Sequence, residues 1–157
     1  EQDSVGGIVE AVAFGVPAGI GEPFFDSVES RVAQLLFSVP AVKGVEFGLG
    51  FALADMLGSE ANDPLAVQGG QIVSITNASG GVLGGIANGM PLIVRAAVKP
   101  TASIGVAQRT VNPRTLTEES LALGGRHDPC IAPRAVPVVE ACVAMALLDL
   151  AKEGGIL

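Results

Sequence analysis

This chain of 157 residues contains no tyrosine or tryptophan and only six phenylalanines, so aromatic side chains add little to its core. Its two cysteines, Cys130 and Cys142, lack the number and spacing of a disulfide framework or a zinc site. We therefore expect no metal and a reducing, cytoplasmic setting. The longest apolar run, 131–148, is interrupted by charged residues and a proline, and it lacks the about 20 clean residues that a membrane span needs.

The formal charge of −7 argues against nucleic acid or an anionic membrane as a partner, because both attract proteins through positive charge. One region departs from this average. Between residues 95 and 134, six cations stand against three acids: Arg95, Lys99, Arg109, Arg114, Arg126 and Arg134 against Glu118, Glu119 and Asp128. This local excess indicates either an anion-binding region or loop charges in solvent, and both interpretations stay open.

Hydrophobic residues make up 49% of the chain, which is enough for one domain with a core of small aliphatic side chains. Their spacing predicts strands over 8–14, 42–47, 71–76, 92–98 and 115–123, and helices over 27–38 and 135–152. A capping box of Asp26 and Glu29 is expected to begin the first helix. We expect the first strand and the last helix to be buried on all sides, and 99–113 to be irregular. Without a regular βαβ rhythm, an α+β class is favoured.

Candidate chemistry is concentrated where Arg126, His127 and Asp128 precede the last helix. An arginine beside an aspartate can bind an anion, but an aspartate at this position can also cap the helix, so both roles stay open for Asp128. His127 is the only histidine. Because a lone histidine without an identifiable partner is more often a packed or surface residue, we assign it no catalytic role.

Two further segments could contact a ligand through the backbone or through hydroxyl groups. Paired glycines at 80–81 and 84–85 allow close approach of a flat ligand or another strand, although the ending of a phosphate-binding loop is missing. This weakens the alternative of a generic nucleotide-phosphate binder. The segment 99–103 offers a lysine and two hydroxyls to a phosphate, or it is simply a strand exit with a solvated lysine.

Five stretches of the chain, 3–7, 41–46, 80–85, 99–103 and 126–140, occur in the order and approximate spacing of chorismate synthases. The most specific is Arg126-His127-Asp128-Pro129-Cys130 with the following 134–141, which resembles the C-terminal signature of that family. The resemblance covers essentially the whole chain. It implies an α+β fold, a layered β-α-β sandwich with helices packed between antiparallel sheets. It also implies that 1–157 is the C-terminal part of a single domain whose N-terminal part is absent.

The family resemblance implies a lyase of the shikimate pathway of aromatic amino-acid biosynthesis. Its members eliminate phosphate from 5-enolpyruvylshikimate 3-phosphate in an anti-1,4 sense to give chorismate, and they require reduced FMN (FMNH2). NADP and a homotetramer are further expectations. By matching position, the FMN contacts would be Pro40, Ala41, Gly84, Lys99, Pro100, Thr101, Ala102, Ser103 and Arg126. Arg126 would also face the substrate, and Asp128 resembles the aspartate near flavin N5.

The chain also departs from the family pattern. The two histidines usually invoked as acids are absent, since the only histidine, His127, belongs to the C-terminal signature. Several substrate-binding arginines of the family also have no counterpart. We therefore expect the isolated chain to be inactive. The alternative from another class is a non-catalytic oligomerisation or assembly module.

Overall fold

The computed structural model describes residues 2–156. Two short 3-10 helices, Phe24–Asp26 and Gly50–Asp55, accompany the main elements. In chain order these are β1 (Gly7–Ala13), α1 (Val28–Ser38), β2 (Val42–Phe47), α2 (Gly58–Ala61), β3 (Leu65–Gln68), β4 (Gln71–Ser74), β5 (Val82–Leu83), β6 (Ile86–Ala87), β7 (Leu92–Val98), β8 (Gln108–Asn112), β9 (Thr117–Leu121) and α3 (Ala132–Glu153).

The main sheet is antiparallel, with β7 between β1 and β2. Every residue of β7 except Arg95 is apolar, and the four on one face, from Leu92 to Val98, are buried. Helices α1 and α3 pack together and against this sheet. Val32 and Val139 at their interface have no exposed surface. Full burial of such a side chain stabilises the fold by about 1.5–3 kcal/mol, so this interface forms the core.

Helix α1 confirms the prediction for 27–38 but begins in a different way. Ser27, not Asp26, is its N-cap, and Ser27 Oγ accepts a hydrogen bond of 3.0 Å from the backbone N–H of Ser30. The expected capping box is therefore wrong. Asp26 instead pairs with Arg31, which also reaches Asp149 and Glu153 of α3.

The predicted α+β class is confirmed, but two burial expectations are wrong. Ile8 and Val12 of β1 are 66% and 40% exposed, because the helices cover only one face of the sheet. Helix α3 begins at Ala132, earlier than predicted, and exposes an apolar stripe along its outer side. Among residues 2–156, no helix is long and apolar enough to cross a bilayer.

Two hairpins extend from this core. Strands β8 and β9 form one of them. The predicted strand over 115–123 is confirmed by β9, whereas the prediction that 99–113 is irregular is wrong for the residues of β8. Strands β3 and β4 form the other hairpin, and Asp63 precedes it. Asp63 accepts hydrogen bonds from Thr76 Oγ1, Ala78 N and Ser79 N at 2.7, 2.7 and 2.9 Å. Burial raises the pKa of this carboxyl, but these bonds outweigh burial and hold the pKa below its ordinary value.

Candidate functional site

The segment after β7 forms one wall of the candidate site. Lys99 N donates a hydrogen bond of 2.8 Å to the carbonyl oxygen of Ala41, which ties this segment to the turn after α1. Pro100 stiffens the chain that follows, because its ring fixes φ. Lys99, Pro100 and Ala102 are exposed, while Thr101 and Ser103 are half-buried and line one cavity.

The opposite wall comes from the segment before α3, and the N-terminal segment joins the two walls. Ser4 Oγ donates a hydrogen bond of 2.6 Å to the carbonyl oxygen of Thr101, and Val5 N donates one of 2.8 Å to Pro129 O. A Cβ on Gly6 would lie 2.6 Å from the carbonyl oxygen of Val98. Because only glycine permits this approach, Gly6 allows the two walls to stand side by side.

Between the walls lies a cavity of about 510 Å³. Its lining is mainly polar and charged: Thr101, Ser103, Arg126, His127, Asp128, Ile131 and Arg134. A second cavity of about 540 Å³ shares Arg126 and His127 and continues towards Gly105 and Leu123, where the lining is less polar. Arg126 and two hydroxyls around one space can bind an anionic group, and the neighbouring cavity leaves room for a less polar part of the same ligand.

Two buried polar atoms in these walls have no hydrogen-bond partner within residues 2–156: Thr101 Oγ1 and His127 Nε2. Buried polar atoms are usually paired, because leaving one unpaired costs about 1–3 kcal/mol. Both atoms belong to residues that line the charged cavity. A ligand with oxygen acceptors could pair with the Thr101 hydroxyl after a rotation of the Thr101 side chain towards the cavity.

Asp128 does not cap α3. The helix begins after Ile131 and has no side-chain cap, whereas Asp128 Oδ2 accepts a hydrogen bond from Arg134 Nη1. The capping role that the sequence left open is therefore wrong. Asp128 is half-buried, and its side chain stands in the cavity wall beside Arg126.

The structure brings most of the residues named from sequence to one end of the molecule. Thr101, Ser103, Arg126 and Asp128 line the same cavity. The carbonyl oxygen of Ala41 accepts the hydrogen bond from Lys99 N that ties the turn after α1 to the first wall. The φ of Ala41, 74°, is in the left-handed region. Pro40 precedes it in the same turn and is exposed.

Gly84 is the exception among the residues named from sequence. It lies in the tight turn between β5 and β6, with φ at 59° and open space where a Cβ would stand. The next residue, Gly85, accepts a hydrogen bond from Val28 N at the start of α1, whereas Ala41 follows the end of α1. A helix of 11 residues is about 16 Å long. Gly84 is therefore not brought to the cavity within one chain.

Sequence reasoning missed three contributors to the site: Ser4, Gly6 and Arg134. Ser4 and Gly6 lie about one hundred residues from their partners in sequence, and no local pattern indicates such contacts. The position of Arg134 could have indicated a role in the site, because a cation in the first turn of a helix is electrostatically unfavourable.

Comparisons with known proteins agree on one family. The model of the family described as chorismate synthase matches residues 1–151. A chorismate synthase from Thermococcus kodakarensis is 58% identical over 147 residues, which are 94% of this chain and 41% of that relative. One from Dehalococcoides mccartyi is 53% identical over 157 residues, which are 100% of this chain and 43% of the relative.

A solved structure supports the same fold. The crystal structure of a chorismate synthase superimposes with a TM-score of 0.77 at 33% identity, covering 96% of this chain and 38% of that one. The chain thus spans less than half the length of each of these relatives.

Proposed function

Since this chain belongs to the chorismate synthase family, we propose that it is the C-terminal part of a lyase that converts 5-enolpyruvylshikimate 3-phosphate to chorismate. The reaction breaks the C–O bond to phosphate and a ring C–H bond, and the electron pair of the C–H bond supplies the new double bonding. Phosphate and a proton leave, with no net oxidation. Reduced FMN, when bound, would supply an electron-rich ring that assists departure of phosphate and a ring nitrogen for the proton.

The observation that carries this proposal is a cavity lined by Thr101, Ser103 and Arg126, with the unpartnered Thr101 hydroxyl buried in its wall. A phosphate oxygen is a strong acceptor, and a cation nearby stabilises its charge. The residues present therefore fit the phosphate end of FMN. Lys99, Pro100 and Ala102 would hold the same segment against the ligand from its exposed side, and Arg126 would also face the anionic substrate.

Asp128 is the residue to which we give the proton role. A carboxylate can accept or relay a proton when it is held within hydrogen-bond reach of the donor atom. Asp128 is half-buried on the cavity wall, and its carboxylate is already oriented by an arginine. Gly84, with open space in place of a side chain, would contact FMN only in an assembly that brings a second chain to the cavity.

This assembly is the second part of the proposal: a homotetramer, with the isolated 157-residue chain inactive. Two observations support inactivity of the isolated chain. It spans less than half the length of its relatives, and it contains a single histidine. The apolar stripe on α3 favours the alternative of an assembly module, because exposed apolar surface marks contact sites. The two roles are compatible.

Titration with oxidised FMN, followed by flavin fluorescence, tests the cofactor site. The Thr101→Val variant keeps the shape of the side chain but removes the unpartnered hydroxyl. We expect FMN affinity to fall about tenfold, the cost of one hydrogen bond to a charged group. Thr110→Val, on exposed β8, is the matched control and should bind as the unmodified chain does. Equal FMN affinity in both variants would contradict the cofactor site.

Turnover tests the activity. A full-length hybrid, in which residues 1–157 follow the N-terminal part of the Thermococcus kodakarensis relative, should release chorismate in the presence of reduced FMN. The isolated chain should not. Chorismate release by the isolated chain would overturn its proposed incompleteness, and an inactive hybrid that is folded and binds FMN would overturn the proposed function. Light scattering of the hybrid reports whether it is a tetramer.

A further inference from the structure

Arg134 occupies a position that helix stability does not explain. It is the third residue of α3, after Ala132 and Pro133. The first turn of a helix carries the positive end of the helix dipole and favours acids, so an arginine there is unfavourable by about 0.3–1 kcal/mol. A residue that breaks a local rule in this way indicates a role outside the helix.

Asp128 precedes α3 but does not cap it. An aspartate caps a helix from the N-cap position, which here is Ile131, three residues after Asp128. Here α3 has no side-chain cap, and the carboxylate of Asp128 pairs with Arg134 instead. Arg134 is 75% exposed in its side chain and Asp128 41%, so burial does not force them together.

Both side chains line the cavity that Thr101 and Arg126 also line. An ion pair this exposed contributes little to stability, at most about 1 kcal/mol. The pair instead fixes the orientation of the Asp128 carboxylate. With Arg134 as its partner, this carboxylate lies on the cavity wall and not at the N-terminus of α3.

We propose that Arg134 is a positioning residue, which holds the Asp128 carboxylate on the cavity wall and away from the N-terminus of α3. The inference rests on the proposed function, because it gives Asp128 a proton to handle. The effect of Arg134 passes through Asp128 alone.

A double-mutant cycle in the full-length hybrid tests this coupling. Arg134→Gln should lower kcat by about tenfold to a hundredfold, as a misplaced catalytic group does. The KM for substrate and the affinity for oxidised FMN should change by less than about twofold. Adding Arg134→Gln to Asp128→Asn should cause no further loss, and Arg134→Lys should recover most of kcat. Arg114→Gln, on the hairpin turn outside the cavity, is the control with unchanged activity.

Four results would overturn the inference: an unchanged kcat in Arg134→Gln, losses that multiply in the double variant, a loss that appears in KM or FMN affinity, or a matching fall in Tm. An inactive unmodified hybrid would instead count against the proposed function. A crystal structure of the Arg134→Gln chain decides the positioning role without activity. We expect the Asp128 carboxylate to have turned to the first turn of α3, and an unmoved carboxylate would contradict the proposal.

Discussion

At the scale of single residues, the site depends on positions that have little chemistry of their own. Gly6 has no side chain, yet the approach of the N-terminal segment to the end of β7 requires it. Thr101 has a buried hydroxyl without a partner in residues 2–156, and the carboxylate of Asp128 is paired with Arg134. The spacing of these residues in sequence does not reveal their roles, because each role is defined by a partner far along the chain.

Gly6→Ala should destabilise the chain by about 1–3 kcal/mol, the usual cost of forcing an atom into packed space. The new Cβ would stand 2.6 Å from Val98 O, so the backbone must move. Chemical denaturation measures the change, and FMN affinity should fall with it because the walls separate. Gly58→Ala is the control, since nothing lies within 4 Å of its Cβ and its φ is not positive. Equal stabilities of the two variants would contradict this account.

Asp63 should make stability depend on pH in the acid range. Its folded pKa lies below the ordinary value of 3.8, because three hydrogen bonds outweigh burial. Its contribution is therefore complete above the unfolded pKa and is lost as pH falls below about 3.8 through the folded pKa.

Asp63→Asn should cost about 1 kcal/mol at neutral pH. The difference in unfolding free energy between this variant and the unmodified chain should shrink as pH falls below 3.8. Urea denaturation across this range measures it. A difference that stays constant with pH would show that the bonds do not depend on the charge of Asp63.

At the scale of elements, the two long helices are joined by charge as well as by apolar packing. Arg31 of α1 reaches Asp149 and Glu153 of α3, and the side chain of Arg31 is only 22% exposed. The hydrogen bond with Asp26 and those with the two acids of α3 together raise the pKa of Arg31, although burial opposes them. This network fixes α3 along α1, and α3 in turn carries Arg134 at its start.

Arg31→Met, which keeps most of the apolar stem, should lower the unfolding free energy by about 1 kcal/mol. The loss should be smaller in high salt, since screening already weakens the ion pairs of the unmodified chain. Arg109→Met removes a pair with Glu118 whose side chains are 86% and 76% exposed, and it should cost little. Equal losses of unfolding free energy in the two variants would contradict a stabilising role of the Arg31 network between α1 and α3.

Sequence periodicity predicts some of these elements closely and others not at all. The prediction for 92–98 coincides with β7, and that for α1 differs by one residue, because local apolar spacing reports the buried face of each. Strand β8 has no buried residue and therefore no such pattern. The charge excess over 95–134 leaves open an anion site or solvated loop charges, because the cavity depends on folding the two walls together, which composition does not encode.

At the scale of the whole molecule, one face of the helical layer carries the core and the other is exposed. Val138, Met145 and Leu148 on the outer side of α3 are 43%, 53% and 48% exposed. Apolar side chains spaced along one side of a helix are typical of a contact with another element. The chain alone therefore presents a surface suited to association.

Leu148→Glu should reduce self-association of the isolated chain and its binding of a hydrophobic dye, because a charge in this stripe opposes burial. Sedimentation velocity at rising protein concentration measures the first effect. Leu116→Glu is the matched control, an 86% exposed leucine in the β8–β9 turn. If both variants associate to the same degree as the unmodified chain, α3 does not carry the contact.

The hydrogen bond from Val5 to Pro129 joins residues 124 positions apart, so most of the described chain before α3 lies inside the loop that this bond closes. Closing so long a loop is entropically costly and slow relative to forming a helix or a hairpin. During synthesis, the first residues must wait until the start of α3 has emerged from the ribosome. The walls of the cavity should thus acquire hydrogen-exchange protection later than β7 and α1, and they should be the first to open.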